Sequence, residues 1–119
     1  MNTEAFVGTI MIDCNDMDAM VSFWSRALGL EEKARFPSYV WLNRLSEGGP
    51  SLAFQKVSEP RVGKNRIHLD IGAADPAAFI EHVISLGGSK VEDHEHDGFA
   101  WSVLSDPEGN VFCVSPAEH

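Results

Sequence analysis

The chain repeats itself, and that limits what it can fold into. Residues 65–76 read Asn-Arg-Ile-His-Leu-Asp-Ile-Gly-Ala-Ala-Asp-Pro. Moved back by 59 positions, so that His68 falls on Thr9, they lie on residues 6–17, the likeness running over residues 8–17. Asp75 then falls on Asp16, Ile71 on Ile12 and Leu69 on Ile10. Both copies have an alternating apolar stretch followed by Asp and a helical pattern. The period is nearly half of the 119 residues. A chain of this length has room for one ordinary domain, so residues 1–119 are expected to be a single domain of two small modules.

The first module is expected over about residues 6–57. Residues 6–13 alternate as a strand does. Asp16 has the position of an N-cap, and Met17, Met20, Val21, Trp24 and Leu28 follow at helical spacing until Gly29 stops the helix. Such a stripe is expected to pack on a sheet. Residues 30–35, 38–45 and 51–57 read as strands, separated by Phe36-Pro37 and by the turn Glu47-Gly48-Gly49-Pro50. A polar connector, residues 58–65, leads to the second module at about 66–115. There the order recurs: a strand at 66–71, then a helix capped by Asp75 with Pro76 at its first position. Phe79, Ile80, Val83 and Ile84 form its apolar stripe, and Gly87-Gly88 ends it. Strands at 90–94, 99–105 and 111–115 follow. Pro107 and Gly109 supply the dihedrals for the last tight turn.

The expected fold is therefore α+β, with tandem βαβββ modules. They form a curved mixed sheet around a cavity, one helix per module on the outside. Alternation sorts the side chains. If Ile10, Ile12, Leu69 and Ile71 face the helices, then Thr9, Met11, His68 and Asp70 face the cavity.

Composition excludes several partners. A formal net charge of −9 would repel a phosphate backbone, so no nucleic acid is expected. The same field would attract a cationic small ligand, although acidity also simply keeps a protein soluble. No apolar run approaches a membrane span, and Met1-Asn2-Thr3-Glu4 lacks the basic start of a signal peptide, so no membrane association and a cytoplasmic location are expected. Cys14 and Cys113 form no CxxC pair and read as apolar fillers or free thiols. Exposed sheet edges favour a homodimer.

Phe23-Trp24-Ser25-Arg26-Ala27-Leu28-Gly29-Leu30, His68-Leu69-Asp70 and Asp106-Pro107-Glu108-Gly109-Asn110, together with the repeat, resemble the vicinal oxygen chelate superfamily. Glyoxalase I, bleomycin-resistance proteins and extradiol dioxygenases share this fold, and the chain looks most like its small glyoxalase-like domains. The resemblance spans about residues 6–114. It implies metal ligands on the first and last strand of each module. Carried over by position, these are Thr9 and His68, with Gln55 (or Ala53 in the other register) and Cys113. Only His68 is a strong ligand there, Gln55 is a weak one, and Cys113 stands where a glutamate is expected. The set does not make a hard catalytic site with open positions. No cofactor is therefore expected, the alternative being Zn, Ni, Fe or Mn held by His68 and Gln55.

His68 and Asp70 share a strand face, so the carboxylate can orient the imidazole, and they are the candidate catalytic pair. Thr9, Met11, Trp41, Gln55, Trp101 and Cys113 are the candidate ligand-binding residues. Tyr39 and Phe99 are further aromatics on the same strands; in bleomycin-resistance-type proteins aromatic walls hold flat cationic drugs. His94 and His96 share a strand face that could take up Zn²⁺ or Ni²⁺, His82 lies on a helix flank, and His119 is terminal. Two functions follow. One is a glyoxalase-like or bleomycin-resistance-like protein that binds a small organic molecule without a complete catalytic metal site. The other is a metal-dependent lyase, isomerase or dioxygenase acting on a small oxygen-rich substrate.

Overall fold

The computed structural model describes residues 2–117, so His119 lies outside the described residues. Two compact units divide the chain, one up to Pro60 and one from Arg61 on. Each runs βαβββ. The first unit holds β1 (Thr9–Cys14), α1 (Met17–Leu28), β2 (Glu32–Phe36), β3 (Tyr39–Arg44) and β4 (Ser51–Lys56). The second holds β5 (Asp70–Ala73), α2 (Pro76–Ser85), β6 (Ser89–His96), β7 (Phe99–Ser105) and β8 (Val111–Pro116). The strands form two mixed four-stranded sheets, ordered β1-β4-β3-β2 and β5-β8-β7-β6. In both, the first strand pairs in parallel with the last, and a meander of antiparallel strands completes the sheet. A parallel pair needs a crossover, and the helix supplies it while covering one sheet face. The α+β class and the tandem βαβββ order thus agree with the sequence pattern.

The helix boundaries follow from capping chemistry. The Asp16 carboxylate accepts from the Ala19 N–H at 3.1 Å, and that of Asp75 accepts from the Ala78 N–H at 3.1 Å. Each satisfies a donor that the first turn leaves orphaned. Gly29 ends α1 at a φ of 68°, in the left-handed region. The α1 stripe is core, as its spacing predicts. Met17, Met20, Val21 and Trp24 are buried, joined by Phe23 and Ala27, and Phe23 meets Trp24 edge to face at 5.2 Å. Against them, β1, β3 and β4 bury Cys14, Val40, Leu42, Leu52 and Phe54. The Arg35 guanidinium donates to Asp18 at 2.9 Å and to Glu32 at 2.8 Å, tying the first turn of α1 to the edge strand β2.

The second unit is thinner. Of the α2 stripe, Val83 alone is fully buried; Phe79 and Ile80 are half-buried, and Ile84 is 49% exposed. Ile84 is rotated about 100° from Val83 around the helix axis, which puts it beyond the line of contact with the sheet. Every residue of β6 is exposed. Leu104, Phe112 and Val114 complete this smaller core.

Most strand boundaries fall within two residues of the expected ones, and two starts differ more. The first strand begins at Thr9 rather than at residue 6, and Phe6 and Val7 are exposed. The strand expected at 66–71 begins only at Asp70, so His68 sits in irregular chain ahead of the ladder. The strand expected at 90–94 extends over eight residues as β6.

Candidate functional site

Alternation and register give each sheet a helix-free face. In the first unit that face carries Thr9 and Met11 from β1, Ala53 and Gln55 from β4, and Tyr39 and Trp41 from β3. The register sets Met11 beside Ala53 beside Trp41, and Asp13 beside Gln55 beside Tyr39. The side chains hold one another. The Trp41 indole N–H donates to Thr9 Oγ1 at 3.3 Å, and the Gln55 amide donates to the Tyr39 hydroxyl at 3.1 Å. Tyr39 stacks on Trp41 with centroids 5.8 Å apart, and Phe36 meets Trp41 edge-on at 6.2 Å. Thr9, Met11, Trp41 and Gln55 therefore lie on one face, arranged as an aromatic wall with polar props.

In the second unit, Asp70 pairs in register with Cys113, and the Cys113 N–H donates to the Leu69 carbonyl at 2.9 Å. His68 leaves the ladder, yet its Nε2 lies 3.2 Å from Asp70 Oδ1. His68, Asp70 and Cys113 bring one ligand atom each within 4.8 Å of one another. Burial pushes the Cys113 thiol up from its ordinary pKa, and the Asp70 charge and hydrogen bond push it further. The Lys64 ammonium acts on it in the opposite direction. At neutral pH Cys113 is thus a thiol, not a thiolate, and serves Asp70 as a hydrogen-bond donor. Trp101 is half-buried on β7, stacked on the His94 ring at 5.2 Å and 21°, with Phe99 at 5.9 Å. His94 is also 3.1 Å from Glu92.

The metal positions implied by the resemblance are a poor fit to a hard cation. Thr9 offers a neutral hydroxyl that already accepts from Trp41, and Gln55 a neutral amide. Cys113 offers a thiol whose deprotonation is disfavoured. What remains, an imidazole and a carboxylate already paired with each other, does not form the four-ligand set of a catalytic site. His94 and His96 are engaged separately, by Glu92 and by Asp97 at 3.4 Å. His82 is exposed on α2.

The sequence pattern did not single out Asn65 or Lys64, and it read His94 only as a surface metal-binding candidate. Asn65 holds Val111 from both sides: Val111 N–H donates to its Oδ1 at 2.7 Å, and its Nδ2 donates to the Val111 carbonyl at 3.1 Å. Lys64 acts on Cys113, and His94 covers Trp101. A register is needed to find these, and the strand pattern alone does not supply it. One signal was available, since β3 and β7 both open as aromatic, any residue, Trp.

The architecture and the four-strand order of each sheet define a protein of the vicinal oxygen chelate superfamily. Within it, the chain belongs to the glyoxalase-like domain family, whose model matches residues 9–115. Solved structures share the fold at low identity. A glyoxalase/bleomycin resistance protein/dioxygenase family enzyme from Burkholderia phytofirmans PsJN superposes with a TM-score of 0.73 at 20% identity, covering 96% of this chain and 100% of that one. A glyoxalase-related enzyme from Fulvimarina pelagi gives 0.73 at 16%, covering 92% and 86%. The lactoylglutathione lyase from Agrobacterium tumefaciens gives 0.70 at 18%, covering 95% and 94%. No curated protein matches the sequence. Among the described residues, no helix is long and apolar enough to cross a membrane.

Proposed function

We propose that this glyoxalase-like protein binds a small organic molecule on its helix-free sheet faces and does so without a complete catalytic metal site. One observation carries the reading. Each module places a half-buried tryptophan, flanked by a second aromatic two residues earlier, at the same point of its third strand: Tyr39 and Trp41 on β3, Phe99 and Trp101 on β7. Such rings are only partly used by the core. They offer flat apolar surface with a polar partner alongside, which is what a small-ligand site needs. His68 and Asp70 are the hydrogen-bonding and proton-handling pair of that reading, and Cys113 is a donor beside them.

Tryptophan fluorescence tests it, because Trp24 is 1% exposed and serves as an internal silent control. A panel of flat ligands, neutral, cationic and anionic, is titrated against wild type, Trp41→Phe and Trp101→Phe. Saturable quenching that falls away in one of the variants is expected. Quenching by no ligand in the panel removes the reading.

A second reading, a divalent-metal-dependent lyase, isomerase or dioxygenase, is favoured by the 4.8 Å grouping of His68, Asp70 and Cys113. A metal bound there would have to displace the thiol proton, so its uptake would be accompanied by proton release and would strengthen as pH rises.

A further inference from the structure

The segment that enters the second unit, residues 61–69, is an irregular strap with an unusual composition for this chain. It carries Arg61, Lys64 and Arg66, three of the nine lysines and arginines, and no acid. It is also fixed in place at three points. The Arg61 Nε–H donates to the Glu108 carbonyl at 3.1 Å, and its Nη1 donates to the Gly63 carbonyl. Asn65 is clasped to Val111 through both of its amide atoms, and the Leu69 carbonyl accepts from Cys113. The strap therefore runs along β8 from Val111 to Cys113. Lys64 is near enough for its charge to act on Cys113, His68 pairs with Asp70 at 3.2 Å, and Arg66 lies between them in the strap.

The side chains of the strap fall into two kinds. Arg61 is consumed by the fastening. Lys64 and Arg66 are exposed and have no ion-pair or hydrogen-bond partner among the described residues. Beside them stand two aliphatic side chains left almost wholly in solvent, Val62 at 89% and Ile67 at 83%. Free cations interleaved with bare aliphatic surface match a ligand with a negative head and an apolar body.

We infer that the strap, through Lys64 and Arg66 with His68 alongside, makes this site select small organic monoanions, a carboxylate on an apolar body, over cationic ligands. This deepens the small-molecule reading above and rests on it. The net charge of −9 does not oppose it, because charges beyond about 8 Å are largely screened at physiological salt and the local cations decide. Asp70 limits the ligand to one negative charge, since a dianion would meet its carboxylate. The Cys113 thiol, donating to Asp70, adds no second negative charge beside an incoming carboxylate.

The test uses the full ¹⁵N-labelled chain and three probes of one shape, benzoate, benzyl alcohol and benzamidine, followed by backbone amide NMR. Benzoate is expected to shift the amides of Lys64, Arg66, His68 and Cys113 saturably, and more weakly as salt is raised. The double variant Lys64→Gln/Arg66→Gln, checked by an unchanged spectrum elsewhere, is expected to weaken benzoate roughly three- to tenfold and leave benzyl alcohol unaltered. Equal benzoate affinity in wild type and variant overturns the inference, and so does benzamidine matching benzoate at the strap. Strap shifts that follow protein concentration rather than benzoate overturn it too, because a second copy of the chain would then be the occupant. A probe that binds elsewhere while the strap stays silent sinks this inference alone. Binding of no probe sinks the small-molecule reading with it.

Discussion

At the scale of single residues, the Asp106–Asn110 turn and the Cys113 corner make the sharpest claims. Gly109 has a φ of +86°, and a Cβ there would lie 2.6 Å from Arg61 Nη2. Gly109→Ala therefore meets both left-handed strain and the guanidinium that fastens the strap. A loss of about 1–2 kcal/mol in urea unfolding is expected, and a variant as stable as wild type would show that the strap is not fastened there. Cys113 gives a pH prediction. Burial and the Asp70 carboxylate both disfavour the thiolate, so the thiol pKa lies above its ordinary value. Iodoacetamide should label Cys113 slowly at neutral pH, with an alkaline midpoint that Asp70→Asn moves down. The linkage has a matching sign: the native thiol contributes its full stabilisation below the unfolded thiol pKa, and this is lost as pH rises through the native one. A Cys113 midpoint below that of a free thiol contradicts the assignment.

At the scale of elements, the two helices test how far capping and stripe determine stability. Asp16→Ala and Asp75→Ala each remove a carboxylate from an N-cap and should each cost about 1 kcal/mol. Within α2, Val83→Ala should cost roughly 2 kcal/mol and Ile84→Ala well under 1, because only the former is buried. Denaturation of the four variants checks all of this, and equal losses at Val83 and Ile84 would mean that the exposed face is covered in solution. The elements were also the most legible part of the chain. Asp-capped starts, glycine stops and apolar periodicity fixed both helices, since these are local signals. Strand starts were less legible. Residues 6–8 and 66–69 alternate like strands, but the paired registers begin only at Thr9 and Asp70, with Gly8 and Leu69 each giving one carbonyl to the neighbouring strand, and such partners are non-local. That is why His68 was expected on a strand and lies just before one. Its proximity to Asp70 and Cys113 was only half visible: the Asp70 spacing is local, whereas Cys113 arrives through the β5–β8 register. Lys64 and Asn65 read as an unremarkable polar connector, because the clasp to Val111 spans 46 positions.

At the scale of the whole molecule, the 59-residue repeat gave two modules of the same order, and both sheets have that order. The exposed β6 edge leads us to propose that the chain pairs as a homodimer, which light scattering would report as twice the chain mass and a concentration-independent monomer would contradict. We propose that the modules of this glyoxalase-like fold bind a small organic molecule without a complete metal site. The direct test is metal analysis of the untagged protein, followed by calorimetric titration with Zn²⁺, Ni²⁺, Fe²⁺ and Mn²⁺, on wild type and His68→Ala. No stoichiometric metal and no heat that depends on His68 are expected. One equivalent of metal, retained by wild type and lost in His68→Ala, would contradict the proposal.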